Sequence, residues 1–118
     1  MKLDKVILAT VLLAGFSTAN ATQCVHDGTV TKVLVGYKEG VVGCPDVGAC
    51  IYFEYKTATD PTIRGLAINA GYNLNDANIG LGHLTLLKTA LLTGAKIDAY
   101  DHWGTRCDDI DEIALKAG

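Results

Sequence analysis

The residues of this chain that could do chemistry fall in three places. Trp103 is the single tryptophan and is followed by Gly104, Thr105 and Arg106. A flat indole face can cover the apolar side of a sugar ring while polar neighbours hold its hydroxyls, and a loop position leaves that face open. The competing reading is a plug at the end of a barrel, buried for packing. His26 and Asp27, with Thr29 and Thr31 beyond them, make a second, short polar row, although alternating threonines also describe the solvent face of an ordinary strand. Asp101, Asp108, Asp109, Asp111 and Glu112 form the third group. They are dense enough to suggest calcium but lack the one-three-five liganding pattern with its turn glycine, so the segment reads as a solvated acidic loop.

No serine, histidine and aspartate stand in a nucleophile-elbow context, and no glycine-rich stretch has phosphate-loop or dinucleotide spacing. The sequence therefore predicts no catalytic residues, no cofactor and no enzyme. Cys24, Cys44, Cys50 and Cys107 contain no C-x2-C pair, and His26, His83 and His102 are not at ligand spacing, so no metal site is expected. Two disulfides are, with three possible connectivities. Cys44 and Cys50 are close enough to close a loop between two strands, which would leave Cys24 for Cys107. Their five-residue spacer is not a redox motif, which favours a structural cross-link.

Those sites need a scaffold, and the composition limits it to one small domain. The chain has 118 residues, 49% of them apolar, and a mean hydropathy of +0.24. Part of that apolar excess is local. Lys2 and Lys5 precede the almost wholly apolar run from Val6 to Phe16, and Ala19-Asn20-Ala21 supplies small residues for cleavage, so residues 1–21 read as a secretory signal. The run has 11 residues, where a spanning helix needs about 20. Removing the leader takes away two lysines and one aspartate and leaves 97 residues with 8 basic and 12 acidic side chains. The scattered cations give no basic stripe for displacing counterions from phosphates, which disfavours nucleic acid as a partner. Export to the periplasm or outside the cell, as a single domain over 22–118, also suits four cysteines.

Residues 29–38 are rich in β-branched types and predict a first strand, with Gly36 marking a bulge or bend. Ile51, Phe53 and Tyr55 alternate with Tyr52, Glu54 and Lys56 and predict a half-buried second strand. A third is expected over 62–70. Leu81, Leu84, Leu87 and Leu91, widened by Leu92, recur at helical spacing over about 79–92, with Thr85, Lys88 and Thr89 on a polar side. Asn78 is the expected N-cap and Gly94 the left-handed C-terminal cap. Strands over 96–102 and 110–116 complete a β-β-β-α-β-β order. That order predicts a mainly β domain with one helix, an OB-fold five-stranded barrel.

The C-terminal third resembles the B subunits of pentameric bacterial toxins. Ala90-Leu91-Leu92-Thr93, then Lys96-Ile97-Asp98 and Trp103, are similar to the end of the central helix, the next strand and the sugar-stacking tryptophan of the cholera toxin and heat-labile enterotoxin B subunits; Ile110 and Ile113 continue the match. This resemblance implies Trp103 as the sugar platform and Arg106 as a basic hydrogen-bond donor. The chain departs from that family at Asp101, where the family has its cysteine. Asp27-Gly28, Leu92-Thr93-Gly94 and Tyr100 resemble the subtilase cytotoxin B subunit, which implies a glycan site at Asp27 and Thr31 instead. Together they imply a secreted carbohydrate-binding homopentamer that delivers a separate catalytic toxin subunit. The alternative is a stand-alone exported, disulfide-stapled OB domain that binds a protein partner.

Overall fold

A computed structural model describes residues 21–41, 44, 48–68 and 77–117. Apart from Ala21, the expected leader lies outside the described residues, as do the segment 69–76 and most of the loop 42–47. Five strands and one helix follow in chain order: β1 (Thr22–Gly36), β2 (Cys50–Lys56), β3 (Arg64–Ala67), α1 (Ala77–Thr93), β4 (Lys96–Asp101) and β5 (Glu112–Lys116). The strands form one antiparallel sheet in the order β3-β2-β1-β4-β5. The expected element order is therefore present. A single parallel bridge, Ile68 to Ile110, draws the end of β3 toward the start of β5, and the described strands go no further toward closing a ring.

The first strand begins seven residues before the expected Thr29. Its second half, from Thr29, pairs with β2, while Thr22 to Gly28 pairs with β4. One strand thus serves two neighbours by bending between them. Register shifts between Gln23 and Val25, between Val25 and Gly28, and between Val30 and Lys32 provide the bend, because each extra residue kinks and twists its strand. Thr31 falls in the last of these shifts, and both it and Lys32 are exposed. Gly36 ends the strand with φ 137°.

β2 is buried on both faces at its start, not half-buried as its alternation suggests. Ile51, Phe53 and Tyr55 enter the main core with Val25, Val30, Ile97, Ile110 and Ile113. Tyr52 instead joins Cys50 and Ala67 on the opposite face. Its hydroxyl donates to Glu54 at 2.9 Å, and the Lys38 ammonium lies 4.8 Å from its ring centre. Gly65 makes room for that ring, since a Cβ there would fall 1.9 Å from the Tyr52 oxygen. Fully burying a side chain the size of Phe53 stabilises by about 1.5–3 kcal/mol, so these inward positions hold the sheet.

The helix opens at Ala77, which places Asn78 inside it and not at the cap. It closes as expected: Gly94 has φ 77° and donates its N–H to Ala90 at 2.9 Å. Its packed face differs from the expected leucine stripe. His83, Leu87 and Ala90 are buried and Leu84 and Leu86 partly so, whereas Leu81, Leu91 and Leu92 are exposed. With apolar residues around most of the helix, periodicity alone does not choose the face. The Thr85 and Thr89 hydroxyls donate to the carbonyls four residues back, each at 2.8 Å, which leaves that side less polar than its residue types suggest.

Candidate functional site

Both disulfides pair as the positional argument favoured, Cys24 with Cys107 and Cys44 with Cys50. The first has Cα atoms 5.7 Å apart and joins β1 to the far end of the loop that follows β4. The near end of the loop is held twice. The Thr22 hydroxyl donates to the Gly104 carbonyl at 2.9 Å, and the Trp103 N–H donates to Asp101 Oδ1 at 2.8 Å. Asp101 is only 1% exposed, and its Oδ2 has no hydrogen-bond partner among the described residues. The backbone beside Trp103 is therefore fixed from β1, from β4 and by a cross-link.

The indole itself stands out, with Trp103 67% exposed. That overturns the buried-plug reading. It forms one wall of an open depression of about 430 Å3, with Ile79, His102, Asp111 and Glu112. Trp103 and Ile79 give the depression its apolar surface, and His102, Asp111 and Glu112 are its polar members, a combination of flat apolar area and polar groups that small-molecule sites use. Arg106 lies on the same loop, exposed, and is not among the residues that line this depression.

The acidic segment is not simply a solvated loop, because two of its members hold backbone. Asp101 serves Trp103 as described. Asp111, whose side chain is 5% exposed, accepts the His102 N–H at 3.0 Å and meets the His102 ring at Nδ1. Its own N–H donates to the Tyr100 carbonyl at 3.1 Å. His102 Nε2 lies 3.3 Å from Glu112 Oε1. The hydrogen bond to Asp111 raises the His102 pKa above its ordinary value, with the charges of Asp111, Glu112 and Asp101 adding to it. Burial pushes the Asp109 carboxyl upward, helped by the charge of Asp108.

Asp27 and Thr31 lie elsewhere. Asp27 sits beside Asp98 on β4, donating its N–H to Asp98 Oδ1 at 2.9 Å, and neither Asp27 nor Thr31 lines the Trp103 depression. The sheet therefore does not bring the two implied glycan sites together. Asp27 is already engaged: Lys116 Nζ bonds its Oδ1 and lies 3.3 Å from Asp98 Oδ2, while His26 Nε2 is 3.3 Å from Asp27 Oδ2. The Lys116 hydrogen bond holds the Asp27 carboxyl below the usual carboxylate value and lifts the lysine above its own. His26, Asp27 and Asp98 each offer a ligand atom within 4.8 Å of one another, a grouping that sequence spacing missed because Asp98 arrives through strand pairing. The Lys116 ammonium supplies the countercharge there. Thr29 is also occupied, accepting from Lys96 Nζ at 2.6 Å.

Sequence reasoning singled out Trp103 but not His102 or Ile79, and treated Asp111 and Glu112 only as acidic-loop members. No helix among the described residues is long and apolar enough to cross a membrane. No family model, curated protein or solved structure matches this chain.

Proposed function

We propose that this chain is an exported glycan-binding module of the pentameric toxin B-subunit kind, which recognises a cell-surface carbohydrate at Trp103. The observation that carries the reading is the combination of an exposed indole and a fixed backbone. A stacking platform must present its face to solvent and lose little freedom on binding, and the Asp101 and Thr22 bonds with the Cys24–Cys107 cross-link meet the second requirement. Glu112, half exposed at the rim, adds an acceptor for a sugar hydroxyl, and a bond to a carboxylate is charge-assisted and stronger than a neutral one. Arg106 is the reserve donor on the same loop. Two disulfides fit an oxidising compartment outside the cytoplasm, and secretion after Ala21 is part of the proposal.

The OB-barrel reading is supported by the Ile68–Ile110 bridge, since parallel pairing of β3 with β5 is the contact that would close the sheet. A ring of five is supported by the two edge strands, β3 and β5, which neighbouring copies would cover. Within it the polypeptide would deliver a separate toxin chain. A glycan array probed with the mature protein and with Trp103→Ala tests the central claim: binding that disappears in the folded variant supports it, and binding that survives sinks it. Sedimentation as a single chain at micromolar concentration sinks the ring.

One observation favours the second reading, an exported domain that binds a protein partner. Leu92 is 76% exposed and Leu81 51% exposed on α1, and large apolar side chains left in solvent along one helix are candidates for a partner contact. A monomer that binds no glycan makes that account the better one.

A further inference from the structure

We propose that the sugar taken at Trp103 carries an N-acetyl group, and that this acetamido group sits in a second compartment between α1 and β5. The inference rests on the glycan reading above and narrows it to N-acetylated sugars. The second compartment is an open groove of about 640 Å3, shallower than the first, with which it shares three walls, namely Ile79, Asp111 and Glu112. A ligand seated against Trp103 can extend a substituent past these side chains, because they face both spaces.

The remaining walls state the chemistry of that substituent. Leu81, Leu86 and Ile113 are apolar and suit a methyl group. Thr85 also lines the space, but its hydroxyl is already donated to the Leu81 carbonyl. His83 is the exception: it is 7% exposed, and its Nδ1 is buried with no hydrogen-bond partner among the described residues. Native proteins leave few buried polar atoms unsatisfied, and such an atom calls for an explanation. A half-turn of the imidazole exchanges Nδ1 with Cδ2, and in the proposed complex the ring takes the orientation in which a nitrogen of His83 meets the ligand.

Apolar walls and one unsatisfied imidazole favour a substituent with a methyl and one neutral amide. An acetamido group has that composition. Its carbonyl accepts from a ring N–H and its N–H donates to a bare ring nitrogen, so it serves either tautomer. A hydroxyl at the same ring position stays in water and brings no methyl to cover the apolar walls. A carboxylate is disfavoured by the neighbouring Asp111 and Glu112 charges.

Matched sugars test this with the mature, disulfide-intact chain. Chitobiose and cellobiose share a linkage and differ in the acetamido groups, as do the methyl glycosides of N-acetylgalactosamine and galactose. Emission of the single tryptophan reports contact at Trp103. In at least one pair the acetylated member should bind about ten-fold more tightly, and Leu81→Ser should reduce that advantage below about three-fold. His83→Leu should do the same, and the exposed Leu81 position keeps the test alive should the buried substitution unfold the domain. Equal affinities within both pairs, with the emission responding, overturn the inference and leave the glycan reading standing. No response from any of the four sugars also overturns the inference, while the glycan array decides the wider glycan reading separately. An oligomer that Leu81→Ser dissociates shows that a second copy fills the compartment, and also overturns the inference.

Discussion

The buried carboxylate of Asp101 accepts the backbone N–H of Trp103 at 2.8 Å, two residues further along the chain. The last residue of β4 thereby sets the direction in which the indole leaves the sheet. Its second oxygen has no partner among the described residues, so one half of the carboxylate does structural work while the other is left desolvated.

Asp101→Ala should therefore destabilise the domain by about 2 kcal/mol, the usual effect of stranding a hydrogen-bond partner of a buried charged group. Asp101→Asn keeps an acceptor, removes the buried charge and should stay within about 1 kcal/mol of the parent. Urea unfolding measures both, and tryptophan anisotropy should fall in the alanine variant alone. Equal stability of the two variants would contradict the role given to Oδ1.

Trp103→Ala should leave the midpoint of thermal unfolding nearly unchanged, because exposed side chains away from special contacts usually contribute within about 0.5 kcal/mol. Glycan binding should become unmeasurable. Asp27→Ala and Thr31→Ala should keep affinity within about two-fold, since neither residue lines the Trp103 depression; more than about 1.4 kcal/mol, a ten-fold loss, in either one would move the site to β1.

His102 should titrate above its ordinary value of 6.5. A raised folded-state pKa gives stability that is fully present below the unfolded value and is lost as pH rises through the folded one. The His102 contribution should accordingly fade on the alkaline side of 6.5. Proton NMR of the imidazole follows the titration, and Asp111→Asn should bring it back toward the ordinary value by removing the main cause. No movement in that variant would mean that Asp111 does not set the shift.

The disulfides should differ in weight. The chain-entropy model gives about 4.5 kcal/mol for a loop the length of that between Cys24 and Cys107, with a sequence separation of 83, and about 2.4 kcal/mol for a separation of 6 between Cys44 and Cys50. Paired serine substitutions at 24 and 107 should therefore lower the urea midpoint more than those at 44 and 50. Non-reducing peptide mapping checks the connectivity, and a Cys24–Cys44 peptide would refute it.

What the sequence determined by itself was local. Alternation at Ile51, Phe53 and Tyr55, β-branched runs, and Gly94 past the last helical residue are properties of neighbouring positions, and each appears in the structure close to where it was expected. The cysteine pairing was legible for a related reason, because a close pair and a pair from the two chain ends leave little freedom. Tertiary structure decided the rest. Thr22 to Gly28 has weak strand propensity, yet it is a strand because β4 supplies its hydrogen bonds. Tyr52 is buried because Ala67 and Cys50 cover a face that the pattern assigned to solvent. The helix buries His83 and Ala90 and exposes Leu81 and Leu92 because the sheet, not the spacing of leucines, selects among several apolar faces. Trp103 could have been a plug or a platform on its residue type alone; contacts from Thr22, Asp101 and Cys107, all outside its immediate chemistry, hold the loop with the indole in solvent. Such long-range pairings depend on which segments meet in space, and short-range periodicity carries no record of that.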